Sequence, residues 1–414
     1  MKVIIIFFSI FISILICKVG FAEPEGQKLQ AAFIRSDDLW FKTDDLEMQL
    51  TKNQKVSAPK WSSDGKFIAY SIGEQQHEIW VYSLESNKHF RIYPDGENYQ
   101  WSPEKNQLAF KVGGVLNITK VSRDNVEAIK NVSLGVGNYS WLPDGSGFLV
   151  SSTSQLLPTG WTSVKLFLVP ADANMNRNKI KHFYTLPPES PSFFAIGTSI
   201  FKWSNDTKWI SFIANPTASW SADSNTLCVL SSDAKRFQKL DKTLHYQEWF
   251  QWAPGKDSLA YIEGEGRIAI QNKHLKVKDF PALKPPSFTP KGFVDRDFTW
   301  VNDRFIIVSR SKESEWSNDP VKRPLPALYH VNIQNNEQRQ ITNPPKKSGD
   351  FGPYFLKQNK KLTWIRSDGE HGDVWNSNPD GSDAKVLIKN INTGSAYYER
   401  RSWSLVVAWY DPHH

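Results

Sequence analysis

Cysteine is nearly absent from this chain of 414 residues, which holds only Cys17 and Cys228. Cys17 sits in the N-terminal apolar run, so a chain processed beyond it keeps Cys228 alone, and a disulfide framework is excluded. Cys228, in Leu227-Cys-Val-Leu230, reads as a buried strand residue and not as a nucleophile. Metal and phosphate motifs are missing as well. There is no His-Glu-x-x-His, no Cys-x-x-Cys and no glycine-rich loop after a strand, and the nine histidines are dispersed, with His413-His414 at the end. No metal and no cofactor are expected on that pattern. The Gly-x-Ser-x-Gly elbow of serine hydrolases is lacking, and Gly145-Ser-Gly147 is the tail of a hairpin turn. Long basic runs are lacking too. The formal net charge of +7 falls to +5 without residues 1–22, which carry Lys2 and Lys18 and no acid. That balance gives no reason to expect nucleic acid as a partner, while it allows loose attraction to an anionic surface.

One long apolar run is present. Val3–Cys17 is interrupted only by Ser9 and Ser13, follows Lys2, and is followed by Gly20-Phe-Ala22. Its length suits a signal peptide and is short for a membrane span, and the small residues suit cleavage after Ala22. The expectation is a signal peptide over 1–22 and one mature domain over 23–414, exported to the periplasm, the cell envelope or the medium. The alternative is an uncleaved N-terminal anchor. A lipoprotein at Cys17 is disfavoured by Ile16, which stands where a small residue is wanted. No integral membrane span is expected after cleavage.

The mature chain is repetitive. Ala58-Pro-Lys-Trp-Ser-Ser-Asp-Gly-Lys-Phe-Ile-Ala-Tyr70 holds a short strand ending in Trp61, an Asp-Gly turn and an apolar strand, a strong hairpin pattern. The pattern returns at Trp101, Trp141, Trp203, Trp252, Trp300, Tyr354 and Trp403, at intervals of 40, 40, 62, 49, 48, 54 and 49 residues. Each hairpin is followed by two more strand-like runs, as in Glu78–Tyr82 and His89–Tyr93. One aromatic-led, four-stranded unit every forty to fifty residues predicts an all-β fold, a β-propeller of stacked blades. Gln30–Thr51 reads as the second to fourth strands of a blade that lacks its first, and Glu399–Trp409 supplies the missing innermost strand. Strands from both termini would thus close the ring and leave no open edge. Eight blades are expected, or seven if the irregular unit around Trp203 and Trp220 is not a true blade.

Trp61-Ser-Ser-Asp-Gly-Lys-x-Ile-Ala-Tyr70 and Asp373-Val-Trp-Asn-Ser-Asn-Pro-Asp-Gly381 resemble the blade repeat of the TolB family, a WD40-like propeller repeat, and Gln340-Ile-Thr342 and Gln49-Leu-Thr51 resemble its closing strand. The resemblance covers essentially the whole mature chain and implies the propeller without the separate N-terminal α/β domain of the family's namesake. It also implies envelope partners of the Tol–Pal type, although the matching residues are blade packing.

The irregular loops carry the remaining information. Ser151–Ser163, Ser309–Pro324, Leu186–Ser199 and Asp279–Asp295 are long, and the meander of a four-stranded blade puts all four on one face. Trp161, Phe193, Phe194 and Trp316 lie on these loops and are the expected binding residues, against the alternative that they tuck the loops onto the rim. No catalytic residue stands out. Glu370-His-Gly-Asp373, Asp37-Asp38, Asp44-Asp45 and Asp295-Arg-Asp297 read as turn acids. The expected function is that of an exported, non-catalytic binding or scaffold protein, a monomer recognising a protein or envelope component. The alternative is a lyase or hydrolase acting on a polysaccharide or peptide at the central channel. The channel lining separates the two: convergent ionisable side chains favour the enzyme, and a plug of small apolar ones favours binding.

Overall fold

The structure, a computed structural model, describes residues 28–281, 286–394 and 396–412. The signal peptide expected over 1–22 and His413-His414 lie outside the described residues. Eight antiparallel sheets form a ring, an eight-bladed propeller. The first blade is the pattern for the rest. Its strands Val56–Trp61, Phe67–Ile72, Glu78–Ser83 and Lys88–Tyr93 pair in chain order from the centre outwards. The eighth blade joins the termini, with Val407–Trp409 innermost and paired to Gln30–Arg35 through Ala31↔Trp409 and Phe33↔Val407. The irregular unit is a true blade, built on Trp209–Asn215, Asn225–Ser231 and Phe237–Thr243, so the ring has eight blades and not seven.

Burial explains the strand sequences. Second strands are pressed between neighbouring blades on both faces, so Phe67–Ser71 and Gly147–Ser151 are buried at every position and read as unbroken runs. Outer strands such as Lys88–Tyr93 are largely exposed. Cys228 is fully buried among Phe212, Leu230 and Phe201, and that burial pushes its thiol pKa up, as a packing residue requires.

The anchor tryptophans sew the blades together. The indole N–H groups of Trp61, Trp101, Trp141, Trp252 and Trp300 donate to the carbonyls of Ala408, Lys60, Gln100, Lys202 and Gln251 at 3.0–3.1 Å. Each acceptor stands one place before the anchor of the preceding blade. A half-buried carbonyl is satisfied at each of these interfaces, which explains why Trp and not Phe occupies the position. The Asp-Gly turns are structural, as expected. Asp64 accepts from Ser62 Oγ and the Lys66 N–H, and Gly65 sits at φ +70°, where a Cβ would meet the Tyr410 ring at 2.5 Å.

Three details differ from the sequence reading. The last anchor is Trp409, not Trp403, since Ala408 accepts the Trp61 indole and Trp403 opens a 3-10 turn, Trp403–Leu405. The fifth blade has three regular strands, and its fourth place holds only a bridge from Lys276 to Ser287 beside Pro286, which has no N–H for a ladder. Asp295, Arg296 and Asp297 are not turn acids: all three lie in the inner strand Phe293–Asn302, with Asp295 fully buried and paired to Arg310 at 2.5 Å.

Candidate active site

The inner strands of four blades carry a register shift ahead of the anchor, alike at Ser57/Lys60, Glu97/Gln100 and Phe351/Tyr354 and displaced by one or two residues at Asp295/Asp297. A bulge re-aims the side chains beside it. Here it turns Ala58, Asn98, Asp297 and Gly352 onto the wall of a central channel of about 1140 Å³. Gly352 needs its positive φ of +53°, and the Trp403 ring would stand 2.8 Å from a Cβ there.

The seventh anchor is Phe355 and not Tyr354, since Phe355 pairs with Leu362 as Trp61 does with Ile68, and the place before each anchor is held by Lys60, Gln100, Ser140, Lys202, Gln251, Thr299, Tyr354 and Ala408. Its structural task is a bridge to the following blade: Gln100 Nε2 donates to the Tyr139 carbonyl at 2.9 Å and Gln251 Nε2 to that of Phe298 at 3.0 Å. Lys60 Nζ makes the same bridge to the Tyr99 carbonyl at 2.8 Å, over the Tyr99 ring at 4.7 Å. Lys202 Nζ donates to the carbonyls of Gln247 and Phe250 at 2.7 and 3.0 Å, 4.6 Å from the Phe250 ring. Burial draws both lysines down to a pKa of about 8, opposed by the Glu248 carboxylate.

Two acids line the same channel. Glu248 lies in the 3-10 turn Gln247–Trp249 that precedes the fifth inner strand, and the Ser404 hydroxyl donates to its Oε1 from across the channel. Asp297 Oδ2 accepts from the Gly352 N–H at 3.1 Å. The protein around it pushes its pKa up to about 7, with the Glu248 charge adding to the rise and the Gly352 N–H and Arg296 opposing it. His245 reaches solvent in the channel, yet the protein crowding it, and then Arg400, lower its pKa. Arg296 is 3 % exposed; its Nη2 serves Glu399, and its buried Nη1, beside Asp297, has no partner among the described residues. Residues 396–406 pass over this side of the channel, held by Ala269 N–H to the Tyr398 carbonyl at 3.0 Å, Arg323 to Glu399 at 2.9 Å and the Tyr246 hydroxyl to the Arg401 carbonyl.

The arrangement offers a carboxyl that exchanges its proton near neutrality, a second carboxylate close enough to influence it, and two amines poised between charged and neutral. Such a lining is suited to proton transfer. Among the described residues, no group of three His, Cys, Asp or Glu side chains is placed to hold a metal ion. No described helix is long and apolar enough to cross a membrane.

The four residues singled out in the sequence lie elsewhere. Trp161 and Phe194 meet at 6.3 Å, and Phe194 meets Trp220, itself 61 % exposed, at 5.9 Å. Phe193 is buried against Phe237 and holds its crossover in place. Trp316 stands apart from that group, stacked under Arg323 at 4.1 Å and against Tyr398 at 5.0 Å. Sequence reasoning missed Lys60, Lys202, His245, Glu248 and Asp297. For the lysines a signal existed: a charge at a repeat position where neutral Gln makes the same bond.

No family model matches the chain, and no curated protein matches it. Among solved structures the fold is similar to dihydro-heme d1 dehydrogenase NirN in complex with DHE, at 12% identity and a TM-score of 0.58, covering 89% of this chain and 75% of that one. It is similar also to a prolyl endopeptidase at 13% identity and a TM-score of 0.53, covering 83% of this chain and 50% of that one. TolB from Acinetobacter baumannii matches more loosely, at 16% identity and a TM-score of 0.38 over 61% of each chain. The chain spans about half the length of the prolyl endopeptidase. The first two likenesses agree with the propeller fold. The expectation of a purely binding, non-catalytic propeller is corrected in favour of its alternative, a site at the central channel: Lys60, Lys202, His245, Glu248 and Asp297 stand among the apolar residues of the channel wall, and a prolyl endopeptidase is among the structures that share the fold.

Proposed function

We propose that this propeller acts in peptide hydrolysis, with the scissile bond held in the central channel. The observation that carries the reading is that Asp297, Lys60 and Lys202 line one channel together with Glu248, whose charge acts on all three. Hydrolysis needs a group that takes a proton from water and returns it to the leaving amine, and a pKa near the working pH serves both halves of that task. Asp297, at about 7, fits it. As the water oxygen bonds to the amide carbon, its proton passes to the Asp297 carboxylate. Collapse of the tetrahedral intermediate breaks the C–N bond, and the proton moves on to the departing nitrogen. Glu248, held by Ser404, keeps negative charge near Asp297 and so helps to hold its affinity for the proton. The fold shared with a prolyl endopeptidase supports peptide over polysaccharide as the substrate. The apolar Val3–Cys17 and the Gly20-Phe-Ala22 that follows it support an exported location.

The test is mass spectrometry of a mixed synthetic peptide pool after incubation with the purified protein. Cleavage is expected, falling at least about 100-fold in Asp297→Asn, the scale of a lost general base. No cleavage at any pH from 6 to 8, or undiminished cleavage by folded Asp297→Asn, overturns the reading.

A further inference from the structure

Lys60 and Lys202 do more than the repeat asks of them. The bridge to the next blade is made by an uncharged amide at Gln100 and Gln251, so this bond needs a donor and not a charge. At two of the eight positions the donor is nonetheless a cation. Placing a charge in a half-buried site is unfavourable unless something compensates it. Among the described residues neither ammonium is paired with a carboxylate: Lys60 is bonded to one backbone carbonyl and Lys202 to two. An ammonium has three donors, which leaves two on Lys60 and one on Lys202 for something in the channel. Both side chains line the same cavity, and Glu248 acts electrostatically on both. The aromatic faces of Tyr99 and Phe250 hold the two stems in the same way in the first and fourth blades. The result is two preorganised cations lining one cavity, in the first and fourth blades, with spare hydrogen-bond donors.

We propose that Lys60 and Lys202 recognise a carboxylate of the peptide in the channel, supplied by its C-terminus or by an acidic side chain, and so set which peptides are held there. This inference rests on the hydrolytic reading for the class of ligand and deepens it. Glu248 and Asp297 line the same cavity, so a peptide held by its carboxylate at a lysine shares that cavity with the acids.

Binding is measured by titration calorimetry on Asp297→Asn protein, which holds peptide without turning it over. Three probes of one sequence are compared: the free acid, its C-terminal amide, and the amide carrying an internal Asp. The free acid or the Asp-containing amide is expected to bind at least tenfold more tightly than the plain amide. That preference is expected to disappear when Lys60→Gln and Lys202→Gln are added, with the affinity of the plain amide unchanged. The probe that is preferred identifies the source of the carboxylate. A second measurement uses protein with both lysines intact: raising the salt concentration to about 0.5 M should weaken the preferred probe and spare the plain amide. Equal binding of all three probes, or a preference that survives the double substitution, overturns the inference. Discrimination without any cleavage by the unaltered protein would leave the carboxylate site standing and overturn the hydrolytic reading. Cleavage without discrimination would do the reverse.

Discussion

Replacing Lys60 with Gln separates two tasks that one side chain combines. The bridge to the Tyr99 carbonyl should survive, because Gln100 and Gln251 make the equivalent bond in their own blades. What disappears is a half-buried positive charge. Burial has drawn the Lys60 pKa from its ordinary 10.5 to about 8. At about 1.4 kcal/mol per unit, that shift bounds the handicap of the charged form at ~3 kcal/mol. Solvent in the channel screens part of it, leaving on the order of 1–2 kcal/mol. The sign follows from which state holds the proton more tightly. With the folded pKa below the unfolded one, the unfolded chain binds more protons between about 8 and 10.5, so this residue's contribution improves as pH rises through that window and is at its worst below it. Lys60→Gln is therefore expected to raise the unfolding free energy by ~1–2 kcal/mol at pH 7, with the gain shrinking towards pH 10.5. For a ring of this size that is a rise in Tm of roughly 1–2.5 °C. Calorimetry of both proteins at pH 7 and pH 10 checks it. A fall in Tm at pH 7 would refute the reasoning, because it would mean that the cation itself holds the first and second blades together.

Further outcomes follow from the same geometry. Removing residues 407–414 deletes the strand that pairs with Ala31–Phe33 and the Ala408 carbonyl that accepts the Trp61 indole, so the ring opens; cooperative thermal unfolding is expected to vanish, and an unchanged Tm would show that closure contributes nothing. Trp101→Phe leaves the Lys60 carbonyl without its 3.0 Å partner and should cost about 1–3 kcal/mol in chemical denaturation, against no change if the indole bond is incidental. The rate of peptide cleavage should rise as pH passes about 7, where Asp297 loses its proton and becomes a base, and that limb should be missing from the residual activity of Asp297→Asn. The same carboxyl, with its folded pKa raised above 3.8, favours the folded state at low pH and loses that contribution as pH climbs towards 7. At pH 8 Asp297→Asn should accordingly be no less stable than the parent.

How far the sequence could be read depends on which residues repeat. The blades were legible because packing between them imposes the same demand many times. An indole must reach the preceding blade's carbonyl, a Gly must take the turn after Asp64, and a second strand must be apolar on both faces, so Trp101, Gly65 and Phe67–Tyr70 all recur in kind. Trp403 was misplaced as the last anchor because two tryptophans, Trp403 and Trp409, lie within one turn-and-strand, and only the bond from Trp61 to Ala408 says which one closes the ring. The channel site was hidden for the opposite reason. Asp297 and Glu248 are made significant by a bulge and a 3-10 turn that bring residues from the fifth, sixth and seventh blades together, and neither leaves a spacing in the chain. Asp295 and Asp297, two residues apart, diverge completely: one is locked to Arg310 in the core, the other faces the channel and keeps its proton up to near neutrality. Alternation along a strand separates such a pair only once the bulge between them is known, because the extra residue reassigns each side chain to a face. The lysines fall between these cases. Their position repeats and was readable, and what marks them is their departure from the Gln that the same bond accepts elsewhere. In a repeat protein, then, the consensus at each position reports the fold, and a charge that breaks the consensus while keeping its bond is the place to look for chemistry.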